Sequence, residues 1–450
     1  QNPLAGGVVN RRYAYDKAGN LIQSADQRSG VLNYVYDKIG RIQEARNSQT
    51  GRSETFAFDP AHNILSDKAA EGKGKGSNIS SGNRLKEYNG IEYTYDALGN
   101  LIYRQLPDGE NQYYQYDLEN QLVRAEIKKA AGNTEIWTYA YDPFGRRLSK
   151  ERQDKLAWTS TDPKRTHFVW DGSRLLQEYT YKGSYTYIYT NQDSYEPLAQ
   201  IFDNAKDSKQ YLVYFHNDQI GIPREMTDIH GNLLWYGEYT AWGRLKKDER
   251  VYKDAHQPFR LQNQYFDEET GLHYNLMRYY EPEAGRFVNQ DPIGLLGGDN
   301  LYAFAPNAQE WVDVLGLAKK GPLGDGNLGS TRANSQQLGR NMALEGRPVM
   351  SGQAAGHIVA SGGKVNQWEP AIESRQILRD YNIDINDPAN GIAVGHPRPH
   401  NEMHNRKFHE KVRDRLKNVV ETMKNRGRGK KAIRRALRRT LRQIGKKCNT

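Results

Sequence analysis

Aromatic residues alternate with small or polar ones through the first two thirds of the chain, and one short phrase keeps returning. It reads YAYDKAGNL from Tyr13, YVYDKIGRI from Tyr34, FAFDPAHNI from Phe56, YTYDALGNL from Tyr93, YQYDLENQL from Tyr114 and YAYDPFGRR from Tyr139. A period of two places the rings of each phrase on one strand face. Asp followed three residues later by Gly, as in most copies, suits a type I turn closed by a left-handed residue. An apolar pair such as Leu21 and Ile22 then opens the returning strand. Asp16 to Asp37 and Asp96 to Asp117 are each steps of 21 residues, about one two-strand unit, so the hairpins are expected to add into one large coiled antiparallel sheet.

The pattern changes after residue 317. Residues 318–346 are Gly-rich and weakly patterned, which reads as a linker. From Arg347 a short β-type run is expected at 357–360, then a helix with Pro370 near its start and Asn382 at its end, a turn NDPAN, and a second short run at 391–394. Phe408, Val412, Leu416, Val420 and Met423 recur at helical spacing, which predicts an amphipathic helix over HNEMHNRKFHEKVRDRLKNVVETM. Ala432, Ile433, Ala436, Leu437, Leu441 and Ile444 suggest a further helix with a narrow apolar seam.

Composition sharpens the same boundary. Of 64 Lys+Arg and 54 Asp+Glu, residues 318–450 hold 27 and 11, so the front is mildly acidic and the remainder carries +16. Tyrosine divides likewise, since only Tyr381 of the 30 follows residue 317. The single cysteine, Cys448, allows no internal disulfide and suits manufacture in a reducing cytoplasm. No apolar run approaches the roughly 20 residues of a membrane span. A start at Gln1 predicts a fragment or processed product with upstream parts missing.

The tyrosine-aspartate phrases resemble the YD repeats of the Rhs family, and RLQNQYFDEETGLHYNLMRYYEPEAGRFVNQDPIGLLGGDNLYAFAPNAQEWVDVLGL, residues 260–317, resembles the Rhs core-associated segment almost throughout. The resemblance implies a mainly β fold, with a spirally wound shell of YD repeats over 1–200 and a core-associated domain with a self-cleavage motif over 201–317. A small α+β domain of the ββα-metal type would follow. Such shells enclose a variable C-terminal toxin.

The resemblance also implies that the core cuts the chain after its closing motif, using two aspartates. They map to Asp291 in DPIGL and Asp313 in DVLGL, with the scissile bond joining Leu317 to Ala318. Two carboxylates held close together push one pKa up, which leaves one acid and one base at neutral pH. On pattern alone both aspartates read as turn residues. The sequence departs from the usual pattern at Val314, Ala308 and Gln290.

Five of the 11 histidines fall after residue 317. His400 and His404, four apart and in line with Phe408 and Val412, would share one helix face and can hold a divalent metal toward the preceding strands. Strand histidine, loop asparagine and helix histidines, in that order, suit metal-assisted phosphodiester hydrolysis: a neutral imidazole activates water, and an asparagine or carbonyl orients its ring. AGHIVA, INDPANGIAV and HNEMHNRKFHEKVRDRL, over residues 347–424, resemble the AHH branch of the HNH (His-Me finger) nuclease superfamily. That resemblance makes His357 the general base, Asn390 the asparagine of the second strand, and His400 with His404 the ligands of a metal, Mg2+ or Zn2+. Gly356 stands where relatives have a further histidine, so His396 is a candidate replacement; Asn386, Asp387 and His409 are candidates for supporting roles.

Residues 424–450 hold 12 Lys+Arg and no acid. Beside a phosphodiesterase motif, Lys430, Lys431, Arg434, Arg435, Arg438 and Arg439 are expected to bind nucleic-acid phosphates as a basic tail over 425–450, with little base specificity. The expected protein is therefore a secreted effector of interbacterial competition that releases a nonspecific DNase into the cytoplasm of a target cell. Its implied partners are DNA, a cognate immunity protein of acidic character, and type VI spike proteins with PAAR and VgrG components, engaged through upstream regions. An RNase cargo, a noncatalytic DNA-binding or membrane-active module, and a component of an insecticidal toxin complex remain open alternatives.

Overall fold

Each aromatic-Asp phrase ends one strand and builds the turn into the next. The computed structural model describes residues 7, 9–16, 20–66, 78–153, 164–192, 194–317, 335, 338–339, 341–342, 347, 349–350, 353–361, 368–381, 383–395 and 405–448. Asp37 shows how the turn is made. Its Oδ1 accepts from the amides of Ile39 and Arg41 at 3.0 and 2.9 Å, and its carbonyl accepts from the Gly40 amide at 3.1 Å. Gly40 takes φ of 81°, a left-handed conformation that costs a residue bearing a Cβ about 1–2 kcal/mol. In the Asp117 copy, Asn120 occupies the same place at φ of 60°.

The strand register slips beside the second ring of the phrase, at Val35/Tyr36, Thr94/Tyr95, Gln115/Tyr116 and Ala140/Tyr141. A bulge bends its strand and adds twist, and here it carries the second ring across the neighbouring hairpin. Tyr36, Tyr116 and Tyr141 each donate through Oη to a backbone carbonyl, of Leu21 at 2.9 Å, Leu101 at 2.9 Å and Leu122 at 2.7 Å. The first rings, Tyr34, Tyr93, Tyr114 and Tyr139, are buried in the core.

Strands therefore follow one another in chain order with antiparallel neighbours. Five run from Arg11–Tyr15 to Ser53–Thr55, and fifteen from Glu87–Tyr88 to Leu245–Arg250. Coiling returns the first strands over the last: Arg11 donates to the Asn217 carbonyl at 3.2 Å and pairs with Glu225, while Glu54 accepts from the Ala241 amide at 2.7 Å.

A four-stranded sheet, Tyr265–Phe266 to Arg286–Phe287, packs against the large one. It brings acids to bases that the large sheet has buried. Arg147 is fully buried, meets Asp267 at 2.5 and 2.9 Å, and lies 4.3–5.5 Å from the ring centroids of Tyr139, Phe168, Tyr265 and Tyr274. Lys150 Nζ reaches both Asp267 and Glu269 at 3.0 Å, and Arg104 pairs with Glu281.

The chain divides into two compact units, Gln1–Lys319 and Lys320–Thr450. In the second, β1 (Gln353–His357) and β2 (Gly391–Gly395) form an antiparallel pair. They are joined by α1 (Glu369–Asp380) and followed by α2 (Arg406–Asn425) and α3 (Lys430–Cys448).

Four expectations need correction. The first strand ends at His357 rather than beginning there, because its ladder closes with His357 opposite Gly391. Helix α2 starts at Arg406, because Asn405 is its N-cap and accepts from the Phe408 amide at 2.9 Å, and His400 and His404 lie outside the described residues. Leu338 and Met342, expected in a linker, are buried and pack with Ala355. The expected basic tail is a core helix: Ile433, Leu437, Leu441 and Ile444 of α3 are buried in one cluster with Ile358, Ile392, Val412 and Leu416. Among the described residues no helix is long and apolar enough to cross a membrane.

Burial acts to raise the pKa of Asp267, but the charges of Arg147 and Lys150 override it and hold the group below its ordinary 3.8. A depressed carboxylate pKa stabilises the fold above that ordinary value, and the contribution is lost as pH falls below it. Asp267→Asn is expected to cost about 3–5 kcal/mol at neutral pH by leaving buried Arg147 without its carboxylate and Lys150 with Glu269 alone. Urea unfolding of the variant should show a lower midpoint than the parent at pH 7, and the gap should narrow toward pH 3.

Candidate functional site

Two polar clusters stand out, one in each unit. The first lies at the end of the β unit and is organised by Arg278, the first residue of the strand Arg278–Glu281. Its Nη2 is 3.2 Å from Asp291 Oδ2 and 3.5 Å from Asp313 Oδ2. The same guanidinium donates to the carbonyls of Gly316 and, at 3.0 Å, Leu301. Burial draws the Arg278 pKa down, against the pull of the two aspartates.

The backbone leading to Leu317 is held as firmly. The Leu317 amide donates to Asp313 Oδ1 at 3.0 Å, and Asn275 Nδ2 donates to the Asp313 carbonyl at 2.8 Å. Gly297 fills the gap between the other partners: a Cβ on it would stand 2.1 Å from Asp291 Oδ2 and 3.3 Å from the Leu317 carbonyl oxygen. The structure thus gathers Asp291, Asp313 and Leu317 around one guanidinium, while Ala318 lies outside the described residues. Arg278 and Gly297 were not singled out from the sequence. Nothing separates Arg278 from other arginines in the pattern, and DPIGLLGG carries several glycines.

The second cluster surrounds His357 at the end of β1. The ring is buried, its Nε2 2.8 Å from Asn386 Oδ1 and its Nδ1 3.3 Å from Ser361 Oγ. An amide oxygen only accepts, so this contact places the ring proton on Nε2 and turns the basic lone pair of Nδ1 toward Ser361.

Asn386, expected in a supporting role, is the asparagine that meets the ring. Asn390 does something else. Its Oδ1 accepts from the Val359 amide at 2.7 Å, and its Nδ2 donates to the carbonyls of Val359 at 3.1 Å and Ile385 at 2.8 Å. These bonds pin the backbone that follows the histidine and leave the Asn390 amide no direct role at the ring.

Around this cluster lie the remaining candidates. Asp387 accepts from the Ala389 amide at 2.8 Å and pairs with Arg438 Nε at 3.0 Å. Arg438 therefore differs from Lys430, Lys431, Arg434, Arg435 and Arg439, which are exposed on α3. His409 is fully buried beside Trp368, with ring centroids 5.9 Å apart. Burial and the nearby Arg375 charge draw its pKa down to about 4, so it is neutral at pH 7. His396, His400 and His404 lie outside the described residues. Among the described residues no three His, Cys, Asp or Glu side chains meet as a metal site, and the expected ligands His400 and His404 are not among them.

Comparison with known proteins matches residues 338–448 to AHH, a nuclease family of the HNH/ENDO VII superfamily with conserved AHH, and residues 212–249 to RHS protein. The chain is similar to double-stranded DNA deaminase toxin A of Burkholderia cenocepacia, 36% identical over 78% of this chain and 24% of the relative. It is also similar to the probable deoxyribonuclease RhsA of Dickeya dadantii, 29% identical over 84% of this chain and 27% of the relative. The solved TcdB2-TccC3-TEV structure covers 69% of this chain and 18% of its own at 18% identity, with a TM-score of 0.43. The chain spans about a quarter of the length of the curated relatives it matches. It belongs to the Rhs polymorphic toxins, and its C-terminal unit is a nuclease domain of the AHH branch of the HNH/ENDO VII superfamily.

Proposed function

We propose that the protein is an effector of interbacterial competition whose C-terminal unit is a metal-dependent, nonspecific DNA endonuclease, set free by self-cleavage between Leu317 and Ala318. The observation that carries the nuclease reading is the fixed ring of His357: Asn386 holds Nε2–H, so Nδ1 is the nitrogen able to take a proton from the attacking water. Asn390 keeps the loop after that histidine in place. A divalent metal would be held by His400 and His404 and would supply positive charge at the scissile phosphate. Exposed cations on α3 would bind the phosphate backbone without reading its sequence.

Self-cleavage is supported by the cluster around Arg278. Hydrolysis adds water across the Leu317 carbonyl and the Ala318 amide, so one carboxyl group gives a proton and another takes one. Asp291 approaches the carbonyl across Gly297, Asp313 holds the Leu317 amide, and Arg278 compensates their charge. The released domain would act in the target-cell cytoplasm. The producing cell would need an immunity protein, acidic to match the basic unit, and upstream regions of the longer protein would engage a type VI spike.

Three sets of measurements test these readings. Plasmid DNA incubated with the parent should be nicked when Mg2+ or Zn2+ is supplied and left intact with chelator. His357→Ala should lower the rate about 10²–10⁴-fold, and preferential attack on total RNA by the parent would replace DNase with RNase. Asn386→Ala is expected to reduce turnover roughly 10–100-fold by releasing the ring. Asn390→Ala should instead lower thermal stability, since each buried group left unsatisfied costs about 1–3 kcal/mol. Finally, Asp313→Asn should leave one full-length band on a denaturing gel where the parent gives two, and Gly297→Ala should slow appearance of the second band. Two bands from Asp313→Asn at the parental rate would remove the cleavage assignment.

A further inference from the structure

The six basic residues of α3 singled out in the sequence do not stand in equivalent places. Five are exposed, whereas the Arg438 side chain is 13% exposed and its Nε lies 3.0 Å from Asp387 Oδ2 and 3.2 Å from Oδ1. Its backbone is fixed as well, because Leu437 and Leu441 on either side are fully buried. Asp387 in turn shapes the turn that serves His357. Its Oδ1 caps the turn Pro388–Asn390 through the Ala389 amide, its carbonyl accepts from the Asn390 amide at 2.8 Å, and its own amide donates to the Asp384 carbonyl at 3.0 Å. The residue before it is Asn386, whose Oδ1 meets His357 Nε2.

We propose that Arg438 is a positioning residue of the nuclease site, working through Asp387 and the 384–390 turn on the ring of His357 instead of gripping a substrate phosphate. The inference rests on the nuclease reading and deepens it. A guanidinium already committed to a buried carboxylate adds no counterion release when nucleic acid binds. What it does supply is a fixed direction for Asp387, and hence for the peptide that carries Asn386. Outer partners of this kind set the tautomer and orientation of a working histidine.

The test uses the full chain with three readouts: the 15N shifts of the His357 ring nitrogens, assigned by His357→Gln; the turnover of plasmid nicking; and the slope of log Kd for a DNA duplex against log salt. Arg438→Gln should lose the shift pattern of an Nε2–H tautomer and lower turnover roughly 10-fold or more, with the salt slope unchanged. Asp387→Asn should do the same, the double variant should be no worse than either single one, and Arg438→Lys should recover most of the loss by restoring the charge. An unaltered His357 tautomer in Arg438→Gln overturns the proposal. So does a salt slope reduced by about 0.9, the loss of one phosphate contact, with turnover at saturating DNA unchanged. The ring shifts do not depend on turnover, so a parent chain that cleaves no nucleic acid would sink the nuclease reading while the tautomer still decided the positioning.

Discussion

A buried guanidinium loses its hydration and is costly unless an opposite charge or other acceptors replace it, and Arg147 with Asp267 is the pair on which the β unit turns. The repeat builds sheet from local rules, but it also sinks Arg147, Lys150 and Arg104 among aromatic rings, and none of their buried acidic partners comes from the repeats. Asp267, Glu269 and Glu281 all come from the segment that follows the large sheet. That segment is therefore not free to pack elsewhere. Its short hairpins hold Asp267 at one end and Arg278 and Glu281 at the other, so satisfying the sheet also sets where Arg278 points. Arg278 then gathers Asp291, Asp313 and the Gly316 carbonyl, and the position of Leu317 follows from the same chain of charge compensation.

The C-terminal unit uses polar side chains for a different purpose. Among the described residues its sheet has only two strands, too small to fix the His357 ring by packing alone. Two buried asparagines of one turn are divided in their work: Asn386 meets the imidazole, whereas Asn390 spends its whole amide on the backbone at Val359 and Ile385. The first sets the direction of a lone pair. The second makes the loop rigid enough for that direction to matter.

Much of this is legible in the sequence, and the reason is range. The alternation of rings, the Asp side chain over its own turn and the left-handed Gly are contacts within four or five residues, so the pattern carries them for Tyr34 to Gly40, Tyr93 to Gly99 and Tyr139 to Gly145. The histidine at 357 and the run at 391–394 were legible as motif. What the pattern could not show was decided by contacts across the chain. The bulge beside Tyr36 is visible only when the neighbouring strand is in place. Leu338 and Met342 looked like linker because their partner Ala355 is distant in sequence and the glycines around them dominate composition. The start of α2 was read too early because apolar periodicity says where a helix packs, while Asn405 decides where it begins. Arg278 and Gly297 carry no local mark at all, since their significance lies in Asp291 and Leu317.

Helix α3 shows how one segment holds two readings at once. Its apolar residues recur at 433, 437, 441 and 444, which is a helix seam, and that seam is buried in the core of the unit. Charge density alone made the same stretch look like a solvated arm. Both descriptions hold, on different faces, because a helix with 3.6 residues per turn can bury one stripe and leave the opposite side to cations. Arg438 sits one residue beyond Leu437, at the edge between the two faces, where a side chain is close enough to the core to meet Asp387 and still long enough to keep its charge. A helix packed in this way brings its exposed cations into a fixed relation with the histidine turn, which a flexible arm would not. The proposed grip on a phosphate backbone and the proposed hold on the turn of His357 would then be consequences of one packing arrangement, not of two separate devices.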